Sequence, residues 1–323
     1  MDEKTAPPLI PKVLSFVRKY FFLFFIVLLL VLALILGVDL KKGVEALGRF
    51  RIWQVLAFVA VFLLVCANFI LKNSFLLRAA GHPVPIGRMA MYYFSSAAAH
   101  YTVPGKVGYP VTAWLLKRFE HIPLSSSSSV LMADFLVSFS FTALIAIVGS
   151  LVYFKTYRLA VLLAAGAFLA AAVLFFVILE LVLKRLKKRT KITDFLERML
   201  ANFKTYGPRR LWPLFFIYSV NALLNGFALW LLVGFSGLDI GIEQLIVADA
   251  VSFILGSVSL IPMGLGVQDV SMLFFLSTFG LDKPSALAVV FIQRTVYVGM
   301  VYLLGFAVNI SLGVKDLKGG KHA

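Results

Sequence analysis

Charge is scarce in this chain. Asp, Glu, Lys and Arg make up 14% of its 323 residues, against roughly 25% in a soluble domain. Too few charges remain to clothe a water-facing surface, which excludes an ordinary globular enzyme. Cysteine is nearly missing as well: Cys66 is the only one and lies in an apolar run, so no intrachain disulfide, CxxC pair or thiol metal site can form. The four histidines, His82, His100, His121 and His322, have no metal-ligand spacing. Also missing are a Walker A loop, a dinucleotide fingerprint and a G-x-S-x-G nucleophile turn. After Tyr20 no long polar region could fold as a separate soluble domain. The expectation is therefore a protein with no catalytic residues, no cofactor and no metal.

What the chain does have is apolar length. Hydrophobic residues reach 61%. A spanning helix needs about 20 consecutive apolar residues, and six stretches qualify: Tyr20–Val38, Trp53–Leu71, Val130–Phe154, Leu159–Leu183, Leu211–Phe235 and Ser285–Leu312. The net charge of +16 suits anionic headgroups and the positive-inside bias better than nucleic acid, because the Lys and Arg sit mostly at helix ends and in short loops.

Two regions break the pattern. Met89–Val103 runs straight into Pro104, and Leu245–Ile261 runs into Pro262, with only the short Val270–Gly280 following. Both read as re-entrant helical hairpins. The densest basic stretch, KRLKKRTK at 184–191 continuing to Arg210, is expected to be a cytoplasmic loop. Counting outward from it places both termini in the cytoplasm and brings the two hairpins in from opposite faces. Lys41, Lys42, Arg49 and Arg51 then fall on the outer side, against the bias.

The two regions also resemble each other. Pro104-Gly-Lys-Val-Gly108 and Pro262-Met-Gly-Leu-Gly266 share the spacing P-x-x-x-G. Each is followed by a short helix, a proline (Pro123, Pro284) and a span with an early charge (Asp134, Arg294). That is the pattern of an inverted repeat. The expected architecture is an all-α polytopic membrane protein of about six spans and two opposed hairpins. Its segments would be a cytoplasmic start (1–19), one transmembrane domain (20–312) and a cytoplasmic tail (313–323). The domain would hold repeat halves 53–183 and 211–312, joined by the loop 184–210.

Broken helices at membrane depth free backbone groups, which lipid cannot satisfy, so they line wet cavities or pack in protein. The short helix after each tip would point its positive N-terminal end at an anionic headgroup. Pro104, Lys106, Gly108, Pro262, Gly264, Gly266 and Arg294 are the expected headgroup contacts. Asp134, Asp249 and Asp269 are the acids that would pair with Arg294 or switch protonation. Asp249 and Asp269 are both open to Arg294 at this stage. Alternatively, the glycines serve tight helix packing and the charges form a static ion pair. Ser125–Ser129 is expected to cap and link the third span.

LLRAAGHPVP, TVPGKVGYPVTAWLLKRF and SSVLMADFLVSF, with SLIPMGLGVQD and the arginine of VVFIQRTVYVG, together resemble the lysylphosphatidylglycerol synthase transmembrane-region family. The resemblance implies a flippase-like domain related to that of multiple peptide resistance factors, which moves aminoacylated phosphatidylglycerol between leaflets. It does not bring the synthase activity. The chain departs from the family pattern at Met263, which replaces a tip glycine, and at Asp269, which replaces a Glu. Tyr109 stands where the first tip often carries an acid, and Asp134 lacks the arginine that often follows it.

The function this points to is movement of an anionic or zwitterionic phospholipid, or a lipid-linked sugar, across the plasma membrane. Two other classes remain. One is a scaffold for a separate lipid-modifying or glycosyltransferase enzyme; the other is an intramembrane enzyme acting on lipid phosphates. Membrane lipids are partners in each.

Overall fold

The computed structural model describes residues 39–102, 108–153, 158–185, 190–204, 208–259 and 264–319. The run expected as the first span, at 20–38, lies outside them. Among the described residues the fold is helical, without strands. A short amphipathic α1 (Leu40–Gly48) is capped by Asp39, whose side chain accepts from the backbone N–H groups of Lys41 and Lys42. Then come α2 (Ile52–Ala79), α3 (Ile86–Thr102), α4 (Gly108–Glu120) and α5 (Leu124–Tyr153). The chain continues with α6 (Arg158–Arg185), α7 (Lys191–Lys204), α8 (Pro208–Val233), α9 (Ile242–Val258), α10 (Val267–Thr278) and α11 (Lys283–Gly319).

Among the described residues, four stretches are long and apolar enough to cross a membrane: Ile52–Ala79, Leu124–Tyr153, Trp212–Ser236 and Lys283–Ile310. The protein is thus a multi-pass membrane protein, and residues such as Leu56, Leu64, Phe216 and Leu303 stand exposed where lipid would cover them. The 28-residue α6 coincides with the expected fourth span. By contrast α3 and α9, 17 residues each, reach only about 25 Å at ~1.5 Å per residue, and α4 and α10 less.

Three expectations change. The basic stretch 184–210 is not simply a loop, because α6 runs to Arg185 and α7 fills 191–204. Met199 and Leu200 of α7 are buried, and Asn202 donates to Ser126 at the start of α5 (3.4 Å). An apolar stripe hidden among lysines and arginines docked this segment. Second, the serine run is helix interior rather than linker. Ser127 and Ser129 are fully buried, and their hydroxyls donate back to the carbonyls of Leu124 (3.2 Å) and Ser126 (2.7 Å), which satisfies them without water. Third, the last helix passes Leu312 and continues to Gly319.

Packing follows a regular scheme. The long helices α2 and α8 lie against each other antiparallel: Asn68 donates to the Ile217 carbonyl (3.0 Å), while Phe50 meets Phe235 at the other end (4.1 Å). Around this pair α3 packs on α11 and α9 packs on α5, while α4 packs on α5 and α10 on α11. One apolar core surrounds α9, with Leu245, Ala248 and Val251 buried. Another surrounds the α3–α4 pair, with Tyr92, Leu116 and Val130 buried. Both short helices stop alike. His121 (φ 56°) ends α4 and Gly280 (φ 101°) ends α10 in the left-handed region, each followed by a proline that cannot continue a helix.

Candidate functional site

A cavity of about 340 Å³ lies among α2, α3, α4, α5, α8, α9, α10 and α11. Its apolar wall includes Phe62, Val65 and Phe253; its polar wall includes Asp134, Asp249, Asn225 and Arg294. Gly108, which opens α4, and Gly264, which precedes α10, both reach it. The two regions singled out by their P-x-x-x-G spacing therefore converge on one space. Pro104, Lys106 and Pro262 fall outside the described residues.

Two buried ion pairs border this space. Arg294, 7% exposed, donates through Nε to Oδ1 of Asp269, 3% exposed. The other oxygen, Oδ2, accepts the Gly266 backbone N–H at 3.0 Å. One carboxylate thus caps the start of α10 and holds α11. This resolves the choice of partner: Asp269 takes the salt bridge, and Asp249 does not. Asp249 lines the cavity within electrostatic reach of Arg294, with no hydrogen bond or ion pair to a described residue.

The second pair involves a residue that the sequence reading passed over. Lys72, 1% exposed, places its ammonium 2.8 Å from Oδ1 of Asp134. The ammonium also lies over the rings of Phe69 (4.1 Å) and Tyr218 (4.7 Å), a cation–π cage. Tyr218 donates its hydroxyl to Asp134, and the Tyr109 hydroxyl hydrogen-bonds to the same carboxylate. Asp134 therefore joins four helices: α2, α4, α5 and α8. The expected second span ended at Leu71, just short of Lys72; the helix runs to Ala79, so Lys72 is well inside it. The signal was an ionisable residue followed by more apolar sequence, FILKNSFLL.

The tip glycines have a structural task. Gly264 has φ 62°, and a Cβ there would come 2.7 Å from the Gly256 Cα. A Cβ on Gly256 would in turn meet the Cβ of Gln268 at 2.8 Å. Gly266, also at positive φ (82°), precedes the first residue of α10. Gly264 is thus packed tightly against helix α9. Among the described residues no three His, Cys, Asp or Glu side chains gather as a metal site.

Chemically, the site offers a guanidinium and an ammonium, each already neutralised by a carboxylate, and a third carboxylate facing open space. Such a lining stabilises charge at a depth where lipid cannot. Ionisable groups at that depth are costly unless they are paired. Residues 20–305 match the lysylphosphatidylglycerol synthase TM region family, and the chain belongs to that family. No curated protein matches the chain significantly.

Proposed function

We propose that this protein moves a lipid with an anionic or zwitterionic headgroup, a phospholipid or a lipid-linked sugar, between the leaflets of the plasma membrane. The observation that carries the reading is the shared cavity, in which Arg294, Asp134 and Asp249 border one space reached by residues of both tips. An isolated charge in an apolar medium costs many kcal/mol unless it is paired. Arg294 can exchange Asp269 for a phosphate, which matches a guanidinium in planar, two-pronged geometry. Asp249 offers a carboxylate to an ammonium or hydroxyl on the same headgroup. The acyl chains need no polar path, since the outer helix faces are apolar.

The helix pairing supports an inverted repeat in which α2, α3–α4 and α5 correspond to α8, α9–α10 and α11. Lengths agree, with 17 and 13 residues in one short pair and 17 and 12 in the other. The contacts cross over as a two-fold requires: α3 on α11, and α9 on α5. In this reading the short pairs are re-entrant hairpins from opposite faces, six helices span, and both termini are cytoplasmic. Membership of a family of membrane domains accords with this reading.

Purified protein in liposomes containing fluorescent phosphatidylglycerol, phosphatidylcholine or a polyprenyl phosphate tests this by dithionite quenching. The wild type is expected to expose inner-leaflet lipid of one class, unaltered. Arg294→Gln and Asp249→Asn should slow that movement at least tenfold, about 1.4 kcal/mol in barrier, while keeping the fold. No movement of any lipid by folded protein favours a scaffold for a partner enzyme. A chemically altered lipid favours an enzyme.

A further inference from the structure

The two short helix pairs are fastened to the cavity wall by different chemistry. The α3–α4 pair is tied at its inner end through a neutral hydroxyl, Tyr109 on Asp134, and the charge of that carboxylate is answered by Lys72 of α2. Tyr109 adds an edge-on ring contact with Phe135 of α5 (5.9 Å). The α9–α10 pair is tied through a full charge, Asp269 on Arg294 of α11, and the same carboxylate holds the Gly266 amide. Lys72 is enclosed by two rings and a carboxylate, whereas Arg294 lines the cavity itself. An incoming anion therefore meets Arg294, not Lys72.

We infer that an anionic lipid headgroup, whose phosphate has no ammonium of its own to answer it, takes Arg294, releases Asp269 and with it the α10 end of the second hairpin, while the first hairpin stays fastened. This rests on the reading that the cavity receives a headgroup. Asp269 is the movable contact because it bridges two elements. Once Arg294 is satisfied by phosphate, the carboxylate keeps only the Gly266 N–H, and α10 loses its bond to α11. The first hairpin has no equivalent response, since Asp134 already has its counter-charge on α2 and its tie to Tyr109 carries no net charge. The two hairpins thus open separately, the second one with the substrate.

Hydrogen exchange in lipid nanodiscs tests this, with peptides from 264–278 reporting the second hairpin and from 108–120 the first. In pure phosphatidylcholine, Asp269→Asn should speed exchange in 264–278 by about tenfold or more, the factor that loss of a charge-assisted hydrogen bond gives, leaving 108–120 unchanged. Tyr109→Phe should do the reverse. Asp269→Glu, which keeps the charge, should stay near the wild type and guards against a mere folding defect. Adding phosphatidylglycerol to wild-type discs should reproduce the Asp269→Asn pattern; soluble glycerol phosphate should not. Faster exchange in both hairpins together, or in neither, overturns the separate latches. Equal opening by glycerol phosphate overturns the assignment to a lipid. If liposome assays show lipid moving but phosphatidylglycerol leaves 264–278 protected, the inference fails and the transport reading stands. If no lipid moves yet phosphatidylglycerol opens only 264–278, the inference holds and the transport reading fails.

Discussion

The α3–α4 and α9–α10 pairs have nearly the same helix lengths, the same left-handed stop and a proline after it, yet they are held by different contacts. The first is stapled at its outer end. Glu120 at the close of α4 pairs with Arg88 (3.1 Å) and accepts from Tyr92 (2.6 Å), both on α3. The second is closed at its inner end, where Gly264 presses on Gly256 and Asp269 holds Arg294. The charges are also distributed differently. In one half the acid is on the long helix (Asp134) and its cation comes from α2; in the other the cation is on the long helix (Arg294) and its acid comes from the short one. Likeness of helix lengths therefore does not carry likeness of side-chain contacts. A common chain path sets where polar side chains reach the cavity, and side-chain chemistry sets how firmly each pair is held.

That contrast can be broken by substitution, and the largest effect is expected at Lys72. Removing one partner of a buried ion pair leaves the other charge unanswered, so Lys72→Met should destabilise by about 3–5 kcal/mol. Thermal unfolding in detergent should show the loss, and Lys72→Met/Asp134→Asn should recover most of it. A double variant no better than the single one would mean that Lys72 acts through its packing on Phe69 and Tyr218. Gly264→Ala comes next. Left-handed strain plus the clash with Gly256 should cost about 3 kcal/mol, read as a lower unfolding midpoint. A normal midpoint would show that the tip can rearrange.

Smaller effects test the outer staple. Glu120→Gln weakens two contacts, but Arg88 is half exposed to solvent, so about 1 kcal/mol is expected. The same unfolding assay should detect it, together with faster proteolysis near 80–86. Gly87→Ala is the control. No atom lies within 4 Å of the added methyl, and alanine favours helix by up to about 1 kcal/mol, so stability should stay level or rise. A marked loss there would mean that the first hairpin is packed more tightly at its entry than its open surroundings suggest.

Much of the framework was legible in the sequence because hydropathy and helix breakers act locally. The apolar runs gave the long helices, and Pro104 and Pro262 marked where α3 and α9 give out. Asp134, Asp249 and Arg294 were conspicuous as charges within such runs, and all three line the cavity. Helix ends were less legible. α5 swallowed the serine run, because hydroxyls can satisfy themselves on their own helix. The buried face of α7 was masked by its lysines and arginines.

By itself the sequence determined that this chain lives in a membrane, that two of its segments are too broken to be plain spans, and which acids and bases are unusual there. Each of those follows from sums over neighbouring residues, which need no knowledge of the fold. Only the tertiary structure decided which charges meet. Arg294 chose Asp269 over Asp249, and Lys72 found Asp134 across 62 positions of sequence. Such pairings depend on how each helix is rotated about its axis and which neighbour it faces. A few tens of degrees of rotation would move a side chain from cavity to lipid without changing any local pattern.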